Sequence, residues 1–487
     1  MRSWRIPLGG LVGLALLFPY LTLIFQVGSW SLPVEEAAGV FAFTFVQAIA
    51  SAFVSLAAGV AGALGLIWLA ESLPRHQVRF AEAFVLLPNA VPVLLLLLPC
   101  LKFFPWAQGF LGIVFVHVLL NAGLVAVAVV SLIQSRIGAM AELAWVEGAT
   151  KSKFFFRIAL PLLRAEFMTL ALFVFAICFA SFAVPLVLGG SGATTVETLI
   201  YQKIRMNGAW GQAVALASLQ AAIIFATAWF LRLRATPIHL ARLTRLPILA
   251  WKWGVIFVAI PSFILLAGLL TGIASGLGQL SKLTDFRAEL PGLIIGSSIV
   301  GFGTGAVCIA LLALIAFVDP KGLARRALLG YAAPSAVLTG FAILFFWRAT
   351  GVATYFKIIA GLSLATIPSF YRLQWDSVLV ALEGQRTVAR TMGAGEGMIF
   401  TKIVWPQVAE AAFRIAGLAS VWAWGDFGLS SVVGERSITL AMVTQGLMGS
   451  YRMDAATVMV WIILAGATLT YLAFAGVGRV LGSQSQR

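Results

Sequence analysis

Glu142-Leu-Ala-Trp-Val-Glu-Gly148, continuing through Ile158 to Leu160-Pro161, is a polar and basic interruption between two long apolar runs. It reads as a short helix closed by Gly148, a turn, and a second helix capped near Thr150 or Ser152. Glycine suits the left-handed position that ends a helix, and Thr or Ser supplies the oxygen that caps the next one. Pro161 then falls near the start of the following apolar helix, where its missing N–H costs little. No residue type in the stretch points to catalysis; it reads as a docking element facing the cytosol. The pattern returns once, as Thr387-Val-Ala389 followed by Gly393, Ile403 and Trp405-Pro406. The glycine-to-proline spacing is 13 residues in both copies, and the two glycines lie 245 residues apart in a chain of 487. An internal duplication accounts for this.

Composition narrows the class. Hydrophobic residues make up 61% of the chain and charged residues 10%, with a mean hydropathy of +1.00. A soluble domain carries roughly 25% charged residues, so an ordinary soluble protein is excluded. The net charge of +15 would suit nucleic acid only if it formed a basic surface on a soluble domain. Here the basic residues sit in short breaks between apolar runs, so membrane topology explains them and no nucleic acid is expected. Cys100, Cys178, Cys308, His76, His117 and His239 are scattered, without metal or disulfide spacing.

Apolar runs of about 20 residues are long enough to cross a bilayer as helices. The sequence predicts twelve: 7–30, 42–70, 80–104, 109–134, 165–190 and 211–232, then 253–275, 291–318, 326–347, 354–381, 408–433 and 455–480. The first follows Arg2 and Arg5 but is too long for a signal peptide and lacks a small-residue cleavage site, so it reads as a retained helix. With the N-terminus inside, 24 of the 33 Lys and Arg residues fall on the inner side. Among them are Arg136, Lys151, Lys153, Arg157 and Arg164 around the first loop, and Arg386, Arg390, Lys402 and Arg414 around the second. By the positive-inside rule both loops and both termini are cytoplasmic. The expected fold is an all-α integral membrane protein, with two tandem six-helix halves of the same orientation forming a parallel pseudo-repeat. The first half is 1–233 with its loop at 136–164, the linker is 234–250, and the second half is 251–487 with its loop at 383–407.

The spacing of Glu, then Gly six residues on, then Ile ten further and Leu-Pro just beyond resembles the EAA loop of ABC-importer permeases. The first copy matches at Glu142, Ala144, Gly148, Ile158, Leu160 and Pro161. The second is degenerate: Ala389, Gly393, Ile403 and Pro406 match, but Thr387 stands for the glutamate and Trp405 for the leucine. Ser181-Phe-Ala-Val-Pro-Leu-Val-Leu-Gly-Gly190 and Ala193-Thr-Thr-Val-Glu-Thr-Leu-Ile-Tyr-Gln202 extend the resemblance. They are echoed by Gly425-Asp-Phe-Gly428 and Ile438-Thr-Leu with Gln445. Ser181 and Asp426 each lie 20 residues past their loop proline. Taken over nearly the whole chain, the sequence is similar to fused permeases of the thiamine and ferric-iron importer type. The resemblance implies an inner-membrane permease whose loops each seat in one of two copies of an ABC ATPase subunit. It also implies a periplasmic solute-binding protein that delivers the solute. The chain has no Gly-x-x-x-x-Gly-Lys-Ser/Thr, so ATP and Mg are expected in the ATPase partner, with no cofactor and no enzyme activity here. Gly189-Gly-Ser-Gly192 lacks the lysine, and Gly301, Gly303 and Gly305 read as helix packing.

Individual residues carry two readings each. Glu142 is either a docking contact or a solvated helix charge, and its replacement by Thr387 predicts that substitution harms coupling more at Gly148 than at Thr387. Asp426, an ionisable residue in or near a span, lines the solute pathway with Ser181, or else pairs with a nearby Arg or caps a helix end close to water. Trp422 and Trp424 stack on an aromatic or cationic solute or anchor the span at the interface. Glu197 and Gln202 seat the binding protein or shape an external loop. Pro88, Pro92 and Pro99 kink or interrupt the third span. A secondary transporter also has six-plus-six repeats, but it needs an intramembrane proton or sodium relay, of which the first half offers almost nothing, with Glu166 close to the loop. For the solute, thiamine or a related small cation, ferric iron and polyamines stay open.

Overall fold

In a computed structural model, residues 21, 25, 30–190, 192–234, 249–281, 284–318, 336–347, 353–371, 375–434 and 437–485 are described. All their regular structure is helical. Most of the expected first span (7–30) and linker (234–250), and residues 326–335 of the ninth span (326–347), lie outside them. So do Arg2, Arg5, Arg242, Arg245, Lys282, Lys321, Arg325, Arg326, Arg348, Arg372, Arg436 and Arg487. Among the described residues, five helices are long and apolar enough to cross a membrane, or up to eight if each bent pair is one span. The expectation of twelve therefore rests in part on segments outside this set.

Two compact units emerge, and neither is one continuous stretch of chain. The smaller comprises Val34–Thr198 and Ala226–Thr271; the larger comprises Met1–Pro33, Leu199–Phe225 and Gly272–Arg487. In the smaller unit the helix Val34–Ser72 packs against Gly109–Leu132, Arg164–Phe179 and Gly254–Leu270. Glu35 and Glu36 in its first turn complement the positive end of the helix dipole. Gly59, Gly62 and Gly65 recur on one face and let neighbouring backbones come close. A side chain at Gly65 would meet the backbone of Gly254 and Val255, and one at Gly254 the carbonyl of Ala61. Trp251 donates its N–H to the Leu64 carbonyl at 3.1 Å and fixes the start of this crossing.

The third expected span, 80–104, is not one straight helix. Arg75–Ala90 and Val93–Phe103 meet at 88°. Pro92 causes the break: it pushes Val91 into an extended conformation, φ −94° and ψ 155°. Asn89 Nδ2 then donates to the Leu120 carbonyl at 2.5 Å beside the bend. Pro88 and Pro99 lie inside the two flanking helices. Leu94, Leu95, Leu96, Leu97 and Leu98 are all fully buried, so this run fills a protein core.

In the larger unit, Trp405–Trp424 is packed between Thr284–Val318 and Met453–Ser485. Its buried face is small: Ala409, Ala412, Ala416, Ala419 and Ala423 alternate with Gly417 and Ser420, which permits close helix approach. Ala336–Phe346 and Thr354–Phe370 pack on each other and on the short helix Gly428–Val433. Trp210 of the helix Trp210–Arg234 lies against Phe341 and Phe345, with ring centroids 5.7 and 5.5 Å apart.

The crossing at Gly254 yields a stability test. Gly254→Val should lower stability of the purified protein by about 1–3 kcal/mol through overpacking. Gly39→Val, in the same unit but with nothing within 4 Å of the added carbon, should stay within about 0.5 kcal/mol. Thermal unfolding of both variants in one detergent checks the contrast.

Candidate functional site

The first loop begins as the continuation of a membrane helix. Gly109–Val146 runs for 38 residues, through a π-turn at Ile133–Ile137, so Gly138–Val146 is the end of a long helix and not a separate short one. Gly148 closes it at φ +80°. Its N–H bonds to the Trp145 carbonyl at 3.0 Å, and Ala149 N–H bonds to the Ala144 carbonyl at 2.9 Å. These two bonds form a Schellman motif, with Ala144 as its innermost acceptor. Thr150 caps the next helix, accepting from Lys153 N–H at 3.4 Å.

Every boundary of this arrangement reappears 245 residues later, in the other unit. Gly138–Val146 corresponds to Glu383–Thr391, Lys151–Phe154 to Glu396–Ile399, and the π-turn Phe155–Ala159 to Phe400–Val404. Gly393 has φ +83° and donates to Arg390 O, while Ala394 donates to Ala389 O, each at 3.0 Å. The second loop lacks the Thr cap; Gly395 occupies that place. Both π-turns lead directly into the conserved-spacing prolines, Pro161 and Pro406. Proline offers no N–H to the carbonyl four residues back and its ring crowds that carbonyl. The preceding residue therefore bonds one position further back, Leu160 N–H to Phe155 O and Trp405 N–H to Phe400 O. The turn widens; past Pro406 the chain continues as the helix Trp405–Trp424, whereas past Pro161 the helix stops at Leu162 and resumes at Arg164 with a 64° bend.

Side chains distinguish the two loops. The first exposes Glu142, Leu143, Trp145 and Val146, with Ile158, Leu160 and Pro161 also outward. The second exposes Thr387, Val388 and Met392, while Ala389 is buried and Ile403 and Pro406 are half-buried. Thr387 turns its hydroxyl back to the Glu383 carbonyl at 2.8 Å. Each loop is fastened to the end of a long helix of its own unit, at matching positions. In the first, Lys151 Nζ pairs with Glu71 at 2.8 Å, both partly exposed. In the second, Arg386 is buried and its guanidinium donates to the Ala316 carbonyl at 2.5 Å. A cation there complements the negative end of the helix Thr284–Val318. Arg390 and Glu396 add a two-pronged pair across the Gly393 turn, at 2.7 and 3.3 Å.

Ser181 and Asp426 both stand where a helix breaks. Arg164–Phe179 resumes as Ala183–Leu188, and Trp405–Trp424 as Gly428–Val433. At the first break Gln47 Nε2 donates to the Cys178 carbonyl at 3.1 Å, and Ser181 N–H reaches the same oxygen at 3.4 Å. Gln47 belongs to a buried polar seam: Ser51 Oγ lies 3.1 Å from His117 Nδ1, and Asn121 Nδ2 lies 3.7 Å from Cys178 Sγ. At the second break the support is local. Asp426 accepts from Ser430 N–H at 2.9 Å, Ser430 Oγ at 3.1 Å and Leu429 N–H at 3.4 Å. It caps the short helix, the second of its two sequence readings. Trp424 is buried, donates to Thr470 Oγ1 at 3.0 Å and is boxed by Gly301 and Gly466. It fills a core rather than a surface open to solute, and Trp422 is half-buried against the same core. Glu197 is fully buried, whereas Gln202, on the same helix Val196–Arg205, is exposed. The polar seam, Arg386 and the π-turns had no sequence signal beyond isolated polar residues in apolar runs and the loop prolines.

With this geometry in place, comparison with known proteins is specific. Residues 62–236 match the family of binding-protein-dependent transport system inner membrane components. The matched stretch contains the first loop and its broken helix. Over 113 residues it is 34% identical to the thiamine transport system permease proteins of Escherichia coli (strain K12) and of Salmonella typhimurium (strain LT2), covering 23% of this chain and 21% of each relative. Over 134 residues it is 31% identical to the putrescine transport system permease protein of Escherichia coli (strain K12), covering 27% of this chain and 47% of that one. The chain thus spans about a fifth of the thiamine permeases' length and about half of the putrescine permease's. No solved structure matches significantly.

The two fastenings differ in burial and should differ in cost. Arg386→Ala leaves a helix-end carbonyl without its donor and should destabilise the protein by about 1–3 kcal/mol. Lys151→Ala removes a part-exposed pair worth about 0–1 kcal/mol. Equilibrium unfolding of both variants against wild type checks the order.

Proposed function

We propose that this chain is a fused, two-half permease subunit of a binding-protein-dependent ABC importer, forming the solute pathway across the bacterial inner membrane. The observation that carries the reading is the second loop. It lies wholly outside the family match at 62–236, yet its helix, glycine turn, π-turn and proline entry repeat those of the first residue for residue. Tandem halves 1–233 and 251–487, joined by 234–250, account for that spacing. Twelve spans with both loops and both termini cytoplasmic follow from the Lys and Arg placement.

In this reading two copies of an ABC ATPase subunit grip the loops. Exposed apolar side chains such as Val146, at 79% exposure, and Met392, at 82%, are the surface such a partner would cover. Glu142 adds a charged contact that Thr387 does not. Closure of the ATPases moves each loop, and the π-turn and proline pass that motion into the broken helices at Ser181 and Asp426 without a flexible joint. ATP and Mg stay with the partner, and this chain contributes no catalytic group. A periplasmic binding protein presents the solute, with Gln202 as the exposed candidate contact. Thiamine or a related small cation is the first solute to test and putrescine or another polyamine the second, following the relatives' names, with ferric iron third.

Affinity purification of the chain from its own membranes should bring down an ATPase with wild type and lose it with Gly148→Arg/Gly393→Arg. Both glycines have open space around them, so bulk alone does not unfold these loops. Gly148→Ala forces a left-handed residue costing about 1–2 kcal/mol and should slow uptake several-fold, while Thr387→Ala leaves it within twofold. Uptake that survives loss of every ATPase and collapses with an uncoupler would instead assign a secondary transporter.

A further inference from the structure

The helix Gly428–Val433 is held at both ends by opposite charges from different parts of the chain. Asp426 sits at its start, as described above. At its far end, Arg205 Nη2 lies 2.9 Å from the Ser431 carbonyl, 2.5 Å from Val432 O and 3.2 Å from Gly434 O. These are the carbonyls that a helix leaves without partners at its C-terminus, and a cation there also complements the dipole. Arg205 is more than 220 residues away in sequence from the carbonyls it binds, yet belongs to the same compact unit. A second contact seats the same segment. Trp210, five residues on, lies against Phe341 and Phe345, on the helix Ala336–Phe346 that itself packs on Gly428–Val433. Gly340 of that helix has no room for a side chain, because Val432 occupies the space.

At the other break, Ala183–Leu188 starts without a side-chain cap from its N-cap residue Phe182, and Gln47 supports the break itself.

We propose that Arg205 is a positioning residue for the pathway, one that transmits docking of the solute-binding protein to the broken helix at Asp426. The inference rests on the permease reading. Gln202, the exposed residue one turn before Arg205 on the helix Val196–Arg205, is the contact through which docking acts. A shift of this helix when the binding protein seats is carried by the guanidinium to Ser431, Val432 and Gly434, and so to the segment that Asp426 caps. The chain of contacts is short, charge-assisted and free of flexible linkers.

Two measurements on the intact complex test it. Hydrogen–deuterium exchange of the 428–434 segment should speed up about 10-fold or more in Arg205→Ala, because charge-assisted hydrogen bonds to backbone are lost. Arg205→Lys, which keeps one charged donor, should fall between, and peptides from the smaller unit should be unchanged. ATP hydrolysis by the co-purified ATPase should be stimulated in wild type by the binding protein of the same importer, loaded in turn with thiamine and with putrescine. Arg205→Ala should abolish that stimulation while basal hydrolysis and assembly persist, and Arg205→Lys should restore part of it. Unchanged exchange in Arg205→Ala overturns the clamp; faster exchange with intact stimulation overturns the transmitting role. If wild type itself shows no stimulation, the permease reading fails, and the exchange result still decides the clamp.

Discussion

A polypeptide in an apolar setting has to find partners for every backbone N–H and C=O inside itself. That constraint governs each place where this chain departs from a straight helix. Just before Pro161 and Pro406 the helix widens into a π-turn, in which Leu160 N–H bonds Phe155 O and Trp405 N–H bonds Phe400 O, five residues back. At the break before Ser181 a side chain from another helix, Gln47, reaches the freed carbonyl. At the break before Gly428 an aspartate and an arginine share the task, one at each end. None of these devices adds much stability alone. Each removes a penalty of several kcal/mol that an unpartnered group would carry in a dry interior.

The two loops show how far backbone and side chain can diverge under this rule. Their glycine turns, π-turns and helix bounds run in parallel up to the prolines, and the same point on a long helix anchors each of them. The chemistry of the anchor is not shared. Lys151 meets the carboxylate of Glu71, whereas Arg386, ten positions earlier in its own loop, reaches past the equivalent Ala316 side chain to the main chain. A part-exposed ion pair weakens as salt rises, while a buried guanidinium on a carbonyl does not sense it. One backbone plan thus holds two loops with different firmness.

The loops were the most legible part of the sequence. Glycine at a left-handed position and proline near a helix start are local signals, and both were readable from residue type alone. The positions of the long helices were also legible, since apolar length is all that a span requires. What the sequence hid were the interruptions. The run 80–104 is apolar throughout, and only the pairing of Val91 with Pro92 marks an 88° bend. Breaks near Ala180 and Gly425 lie inside runs that hydropathy treats as continuous. The partners that make them tolerable, Gln47 and Arg205, come from 131 and more than 220 residues away. Asp426 and Trp424 illustrate the same limit: residue type does not show that one accepts from Ser430 N–H and the other is boxed by Gly301 and Gly466.

Gly109–Val146 deserves a last look for its length. At 38 residues and about 1.5 Å per residue it is a rod of about 57 Å, against about 30 Å of hydrocarbon in a bilayer. Nearly half of it must therefore project beyond the lipid tails or lie strongly tilted. The π-turn at Ile133–Ile137 divides the rod unequally, into 24 residues, about 36 Å, on one side and nine residues, about 14 Å, on the other. The short arm is the one that ends at Gly148, so a tilt about that turn would be enlarged at the far tip.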